Sequence, residues 1–247
     1  MKQRFGLGFF FIVCLGLISV SAQAAERIYL LAGQSNMMGK GRTHELPAAY
    51  KTTPANVTFY YQGRPRALAK FASFGPEVVF AHEVARAFPH DQHIIIKLAA
   101  TGSSITQWQP GKGLYKSLLR QMNFSLPEDH APVTAILWMQ GESDARNAAQ
   151  ANQYAPLLSR FIQALRQDTD SPNSLFILGK VNPEVPNAFP MLAKVQASQR
   201  LIQQNTPRTL MITTDGLSKL QDQLHYDAQG QMELGRRFAQ AYISHAR

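Results

Sequence analysis

Five short apolar runs, RIYLLA, HIIIKLA, VTAILWM, LFILGKV and TLMIT, are set apart along the chain by longer stretches with helical periodicity. Each run is continuous rather than alternating, which is the pattern of a strand buried on both faces. Parallel strands of that kind need crossover segments between them, and the intervening stretches supply them. The expected architecture is therefore α/β: a mainly parallel five-stranded sheet flanked by helices, with strands at 27–32, 93–99, 133–139, 175–181 and 209–213. Residues 77–88 read as a helix with a broad apolar side, started by Pro76. Residues 153–167 place Tyr154, Leu157, Leu158, Phe161, Ile162 and Leu165 on one face, and residues 230–245 close the chain with Leu234, Phe238 and Tyr242 inward. No repeat, low-complexity tract or long linker interrupts this order, so residues 25–247 read as one domain.

The first 24 residues read differently. Lys2 and Arg4 precede an apolar stretch from Phe9 to Val20, followed by Ala22-Gln23-Ala24. That is the layout of a cleaved export signal, and the stretch is short for a membrane span. The expectation is a secreted or periplasmic protein with no stable membrane anchor after cleavage. Cys14, the chain's only cysteine, falls inside this segment. A cysteine nucleophile, a thiolate metal site and a disulfide framework are thereby excluded from the mature part. The formal charge is +9, from 25 Lys and Arg against 16 Asp and Glu. The cations are scattered, without a basic helix or aromatic-interleaved motif, which speaks against nucleic acid and for solubility or loose attraction to acidic polysaccharide.

Ligands of open α/β sheets bind beyond the carboxyl ends of the strands. Three such ends carry polar clusters: Gly33-Gln34-Ser35-Asn36, Thr101-Gly102-Ser103-Ser104 and Gln140-Gly141-Glu142-Ser143-Asp144. A fourth, Asp222-Gln223-Leu224-His225, precedes the last helix. Serine is a weak nucleophile until a base takes its proton, and the base needs a third group to hold its tautomer. Ser35, His225 and Asp222 are the candidates for those roles. The Ser35 N–H, the Gly102 N–H and the Gln140 amide are candidate oxyanion donors, worth about 3–4 kcal/mol each when aimed at the developing charge. Taken singly, Ser35 also reads as a helix cap, His225 as a surface histidine and Asp222 as a turn residue. Glu142 and Asp144 stand too close in sequence for the paired carboxylates of a glycosidase. His82-Glu83 lacks the second histidine of a zinc helix, so no metal and no cofactor is expected. The Gly-x-Ser-x-Gly elbow of α/β-hydrolases is also absent.

The segments GQSNMMG, FGPEVVFAHEVA, TGSSITQWQPG, WMQGESDA and DQLHYDAQGQMELGRRFA resemble, in order, the motif blocks of the sialate O-acetylesterase-like branch of SGNH hydrolases. That branch includes carbohydrate esterase family six and acetylxylan esterases. The resemblance implies a flavodoxin-like three-layer α/β/α fold and metal-free serine chemistry that removes O-acetyl groups from carbohydrates. It matches Ser35 to the nucleophile, His225 to the base, Asp222 to its orienting acid, and Gly102 and Gln140 to the oxyanion hole. Gln34, Asn36 and Glu142 would support those groups, and Trp108 with Gln109 would line the sugar side or pack in the core. Thr101 stands where the family usually has a glycine. A sugar-binding protein that keeps the fold without the chemistry, and a lipase or thioesterase of the same superfamily, are the competing readings.

Overall fold

The computed structural model describes residues 24–246. Residues 1–23, which hold nearly all of the expected export segment, lie outside the described residues.

Strand β1 (Glu26–Gly33) leads into the single-turn helix α1 (Ser35–Met38) and the short strand β2 (Gly41–Arg42). A hairpin follows, β3 (Val57–Tyr61) and β4 (Arg64–Arg66), and then β5 (Ser73–Phe74), which pairs with β2. Helix α2 (Glu77–Ala87) and β6 (Gln92–Ala99) come next, then α3 (Gly113–Ser125) and β7 (Val133–Met139). The chain continues through α4 (Ala148–Asp168), β8 (Leu175–Gly179), α5 (Leu192–Asn205), β9 (Thr209–Ile212) and α6 (Ala228–Ala246).

The main sheet has seven strands in the order β4-β3-β6-β1-β7-β8-β9, all pairings parallel except β3 with β4. The five expected strands are present, and without the hairpin they run β6-β1-β7-β8-β9, the flavodoxin-like order. The expected count of five is corrected to seven by the hairpin at the β6 edge. Gln62 and Gly63 both take positive φ, 55° and 68°, as a two-residue hairpin turn whose twist matches its strands requires. Pro65 sits on the outermost strand, where its missing N–H removes no ladder bond.

Apolar side chains from both faces of the sheet build the core. On one face Tyr29 meets Phe80 of α2 and Tyr242 of α6 edge-on, at ring separations of 5.0 and 5.1 Å. On the other, Trp138 packs on Phe161 of α4 at 4.8 Å, with Phe176 beside both. Each fully buried aromatic contributes about 1.5–3 kcal/mol relative to exposure. Helix α4 starts five residues before its expected first turn, because Asn147 caps it by accepting from the N–H groups of Ala149 and Gln150. Helices α3 and α5 were not expected from sequence. The buried face of α3 is a narrow stripe of Tyr115, Leu118, Met122 and Ser125, and α5 buries Ser198 and Gln199 along with Val195 and Ile202.

Candidate active site

In the sheet register, Gly33 lies opposite Ala99 on one side and Met139 on the other. The segments that leave these three strands therefore emerge together. A Cβ on Gly33 would stand 2.1 Å from the Met139 carbonyl oxygen, so only glycine permits this approach. Gln34 donates its N–H to that same carbonyl at 2.9 Å, and Ser35 opens α1 with 3% of its surface exposed.

The loop before α6 brings His225 to Ser35. Its far end is tied by Asp227, which accepts from the Ser218 hydroxyl and from the Gly230 N–H at 2.9 Å. The Leu220 N–H donates to the His225 carbonyl at 2.8 Å. Within this loop His225 Nε2 stands 3.0 Å from Ser35 Oγ, and Nδ1 stands 2.6 Å from Asp222 Oδ2. A carboxylate only accepts, so Nδ1 carries the proton and Nε2 is left as the acceptor for the serine hydroxyl. Partial burial pushes the Asp222 carboxyl up. The hydrogen bonds it accepts from the His225 backbone and ring and from the Leu224 N–H outweigh that and hold it below the ordinary aspartate range.

Asn36 joins the two halves. Its Oδ1 accepts from the Tyr226 N–H at 3.1 Å, while Nδ2 donates to the Leu224 carbonyl at 3.2 Å and to Glu142 Oε1 at 2.8 Å. The residue after Ser35 thus grips the chain on both sides of His225. Glu142 is 2% exposed, and burial pushes its carboxyl up. Gln34 organises the loop after β7, its Oε1 accepting from the Gly141 N–H at 3.2 Å and from Gln140 Nε2 at 3.3 Å.

Two sequence expectations change here. Gln140 was expected to donate to the oxyanion, but its side chain is wholly buried, and Nε2 is engaged by the Ser103 carbonyl at 2.8 Å and Asp144 Oδ2 at 2.6 Å. The buried Asp144 carboxyl needs donors, and Gln140 and the Ile105 N–H meet that need. Trp108 was offered for the sugar side. It is wholly buried, donating Nε1 to Ser103 Oγ at 2.9 Å and packing edge-on against Trp138 at 5.2 Å, and Gln109 is buried beside it. Both are core residues because the short helical turn at Ile105–Trp108 folds under the rim.

The N–H groups of Ser35 and Gly102 have no acceptor among the described residues, which leaves them available to a ligand in front of Ser35 Oγ. Gly102 takes φ 72°, and a Cβ there would meet nothing within 4 Å, so backbone conformation rather than space calls for glycine. A cavity of about 160 Å³ opens in front of these groups, lined by Ser35, Thr101, Gly102, Glu142, Arg146, Phe189 and His225 among others. Sequence reasoning missed Arg146 and Phe189. The Arg146 guanidinium lies over the Phe189 ring, 4.3 Å from its centre, without a carboxylate partner among the described residues. Phe189 comes from the loop between β8 and α5, where a lone phenylalanine carries no local signal. Among the described residues, no group of three or more His, Cys, Asp or Glu gathers as a metal site.

Residues 25–244 match the family model described as carbohydrate esterase, sialic acid-specific acetylesterase. A protein of Arabidopsis thaliana described as a probable carbohydrate esterase is 26% identical over 243 residues, covering 89% of this chain and 91% of its own length. Its X-ray structure superposes with a TM-score of 0.77 at 23% identity, over 88% of this chain and 98% of that one. The crystal structure of NanS follows at a TM-score of 0.73 and 13% identity, over 92% and 99% of the two chains. A carbohydrate acetylesterase from Xanthomonas citri gives 0.66 at 18%, over 90% of this chain and 57% of its own.

Proposed function

The chain belongs to the carbohydrate esterase family of sialic acid-specific acetylesterases, and from that premise we propose that it is an exported serine esterase that removes O-acetyl groups from sugars through an acyl-enzyme. Ser35 Oγ attacks the acetyl carbonyl while His225 Nε2 takes its proton. Asp222 holds the ring in the tautomer that leaves Nε2 free and stabilises the imidazolium once formed. The N–H groups of Ser35 and Gly102 receive the oxyanion. His225 then returns the proton to the departing sugar oxygen. It next removes one from water, which attacks the acetyl-serine, and hands it to Ser35 Oγ as the acyl bond breaks and acetate leaves. The single observation that carries this reading is the relay from Ser35 Oγ through His225 to Asp222, at 3.0 and 2.6 Å, between residues 190 positions apart.

The small cavity favours acetyl over longer acyl groups. Arg146, held over Phe189 at its edge and free of a protein carboxylate among the described residues, favours a sugar that bears an acidic group. The export part of the proposal rests on the composition of the first 24 residues. Acetate release from acetylated sugars tests the whole. Ser35→Ala should lower kcat by about 10³-fold or more, and equal rates for the two proteins would overturn the assignment.

A further inference from the structure

A second cavity of about 200 Å³ is lined by Met38, Phe59, Tyr61, Phe71, Glu77 and Lys97 among others. Met38 is the last residue of α1, three positions after Ser35, so the same helical turn contributes a wall to each cavity. The partition between them is thin. Thr101, which lines the catalytic cavity, contacts the Met38 sulfur with its hydroxyl at 3.5 Å.

The walls of this second cavity come from outside the five-stranded core. Tyr61 ends β3, and Phe71 lies in the loop between β4 and β5. Their rings meet at 5.3 Å, steeply inclined, and Phe71 is 42% exposed. The floor is polar. Lys97, 3% exposed, donates to Glu77 Oε2 at 2.6 Å and to the Met38 carbonyl at 2.8 Å. An ammonium has three N–H groups, so one donor remains for a ligand. Glu77 is fixed in turn by the Gly75 N–H, which donates to Oε1 at 3.0 Å.

Aromatic walls over a buried donor match a pyranose, which has an apolar C–H face and a rim of hydroxyls. An alkyl chain would cover the ammonium without accepting its third N–H. We propose that this cavity is a second sugar subsite, holding the residue next to the acetylated one, so that the preferred substrate is an acetylated oligosaccharide rather than a free monosaccharide. The proposal rests on the esterase reading above.

The test compares kcat/KM for an acetylated disaccharide and the acetylated monosaccharide of the same sugar. Wild type should prefer the disaccharide by about tenfold, the scale of one good ring contact. Phe71→Ala should bring that ratio close to one through KM, and Phe71→Tyr should keep it. Phe71 is exposed, so its truncation does not hollow the core. No preference in wild type, or an unchanged ratio in Phe71→Ala, would overturn the subsite. So would a shift in Phe71→Ala confined to the choice between p-nitrophenyl butyrate and acetate, which would assign the cavity to the acyl chain. Absence of Ser35-dependent acetate release from either sugar would instead overturn the esterase reading itself.

Discussion

Asp144 is wholly buried, and burial pushes its carboxyl from 3.8 up to about 6, against the pull of the hydrogen bonds from Gln140 and the Ile105 N–H. Between those two values the folded chain holds this proton more tightly than the unfolded chain. The Asp144 contribution is therefore fully present below pH 3.8, declines as pH rises, and is lost above about 6. Asp144→Asn removes that titration. Unfolding free energies measured from about pH 4 to pH 7 should fall less steeply for the variant, by up to about 3 kcal/mol over the window. Asp222 carries the opposite sign. Its depressed carboxyl supports the fold above the ordinary aspartate range and stops doing so as pH falls through its folded value. Equal slopes for wild type and Asp144→Asn would refute the buried-proton account.

Between elements, the critical joint is Asn36, which fastens α1 to the loop that presents His225. Asn36→Ala leaves Ser35, His225 and Asp222 in place chemically but frees the Leu224 carbonyl and the Tyr226 N–H. Displacing the ring by about an ångström costs on the order of 10²-fold, so kcat should fall by that amount with KM little changed, and labelling of Ser35 by a fluorophosphonate should slow in step. Loss confined to KM would show that Asn36 contacts substrate instead. The elements themselves were unequally legible. The five core strands could be found because each is a mostly apolar run without polar alternation, although β6 carries Lys97 and the edge strand β9 is only half-buried at Leu210 and Met211. The β3–β4 hairpin was not, although VTFYY before a residue paired with glycine is a usable strand-and-turn signal. Helix α5 escaped because its buried face carries Ser198 and Gln199 beside Val195 and Ile202, which weakens its periodicity, whereas α3 is as periodic as α4 but buries only the short apolar stripe of Tyr115, Leu118 and Met122.

For the whole molecule, the excess of 25 Lys and Arg over 16 Asp and Glu makes a long-range prediction. KM for an acetylated acidic polysaccharide should rise as salt goes from about 0.01 to about 1 M, while a neutral acetylated oligosaccharide should respond little. Parallel slopes for the two substrates would remove charge from the account of recognition. Among the described residues no helix is long and apolar enough to cross a membrane. By itself the sequence determined the five core strands, their parallel sense and the polar clusters at their ends, because hydrophobic period and turn chemistry act over a few residues. Only the tertiary structure decided which way the end-of-strand side chains turn. Gln140 and Trp108 stand in the right segments, yet they face inward because a buried carboxyl and an aromatic cluster await them there. The same holds for the approach of Ser35 to His225 and for the seat of Arg146 on Phe189, since contacts across 190 and 43 positions follow from packing that no local pattern contains.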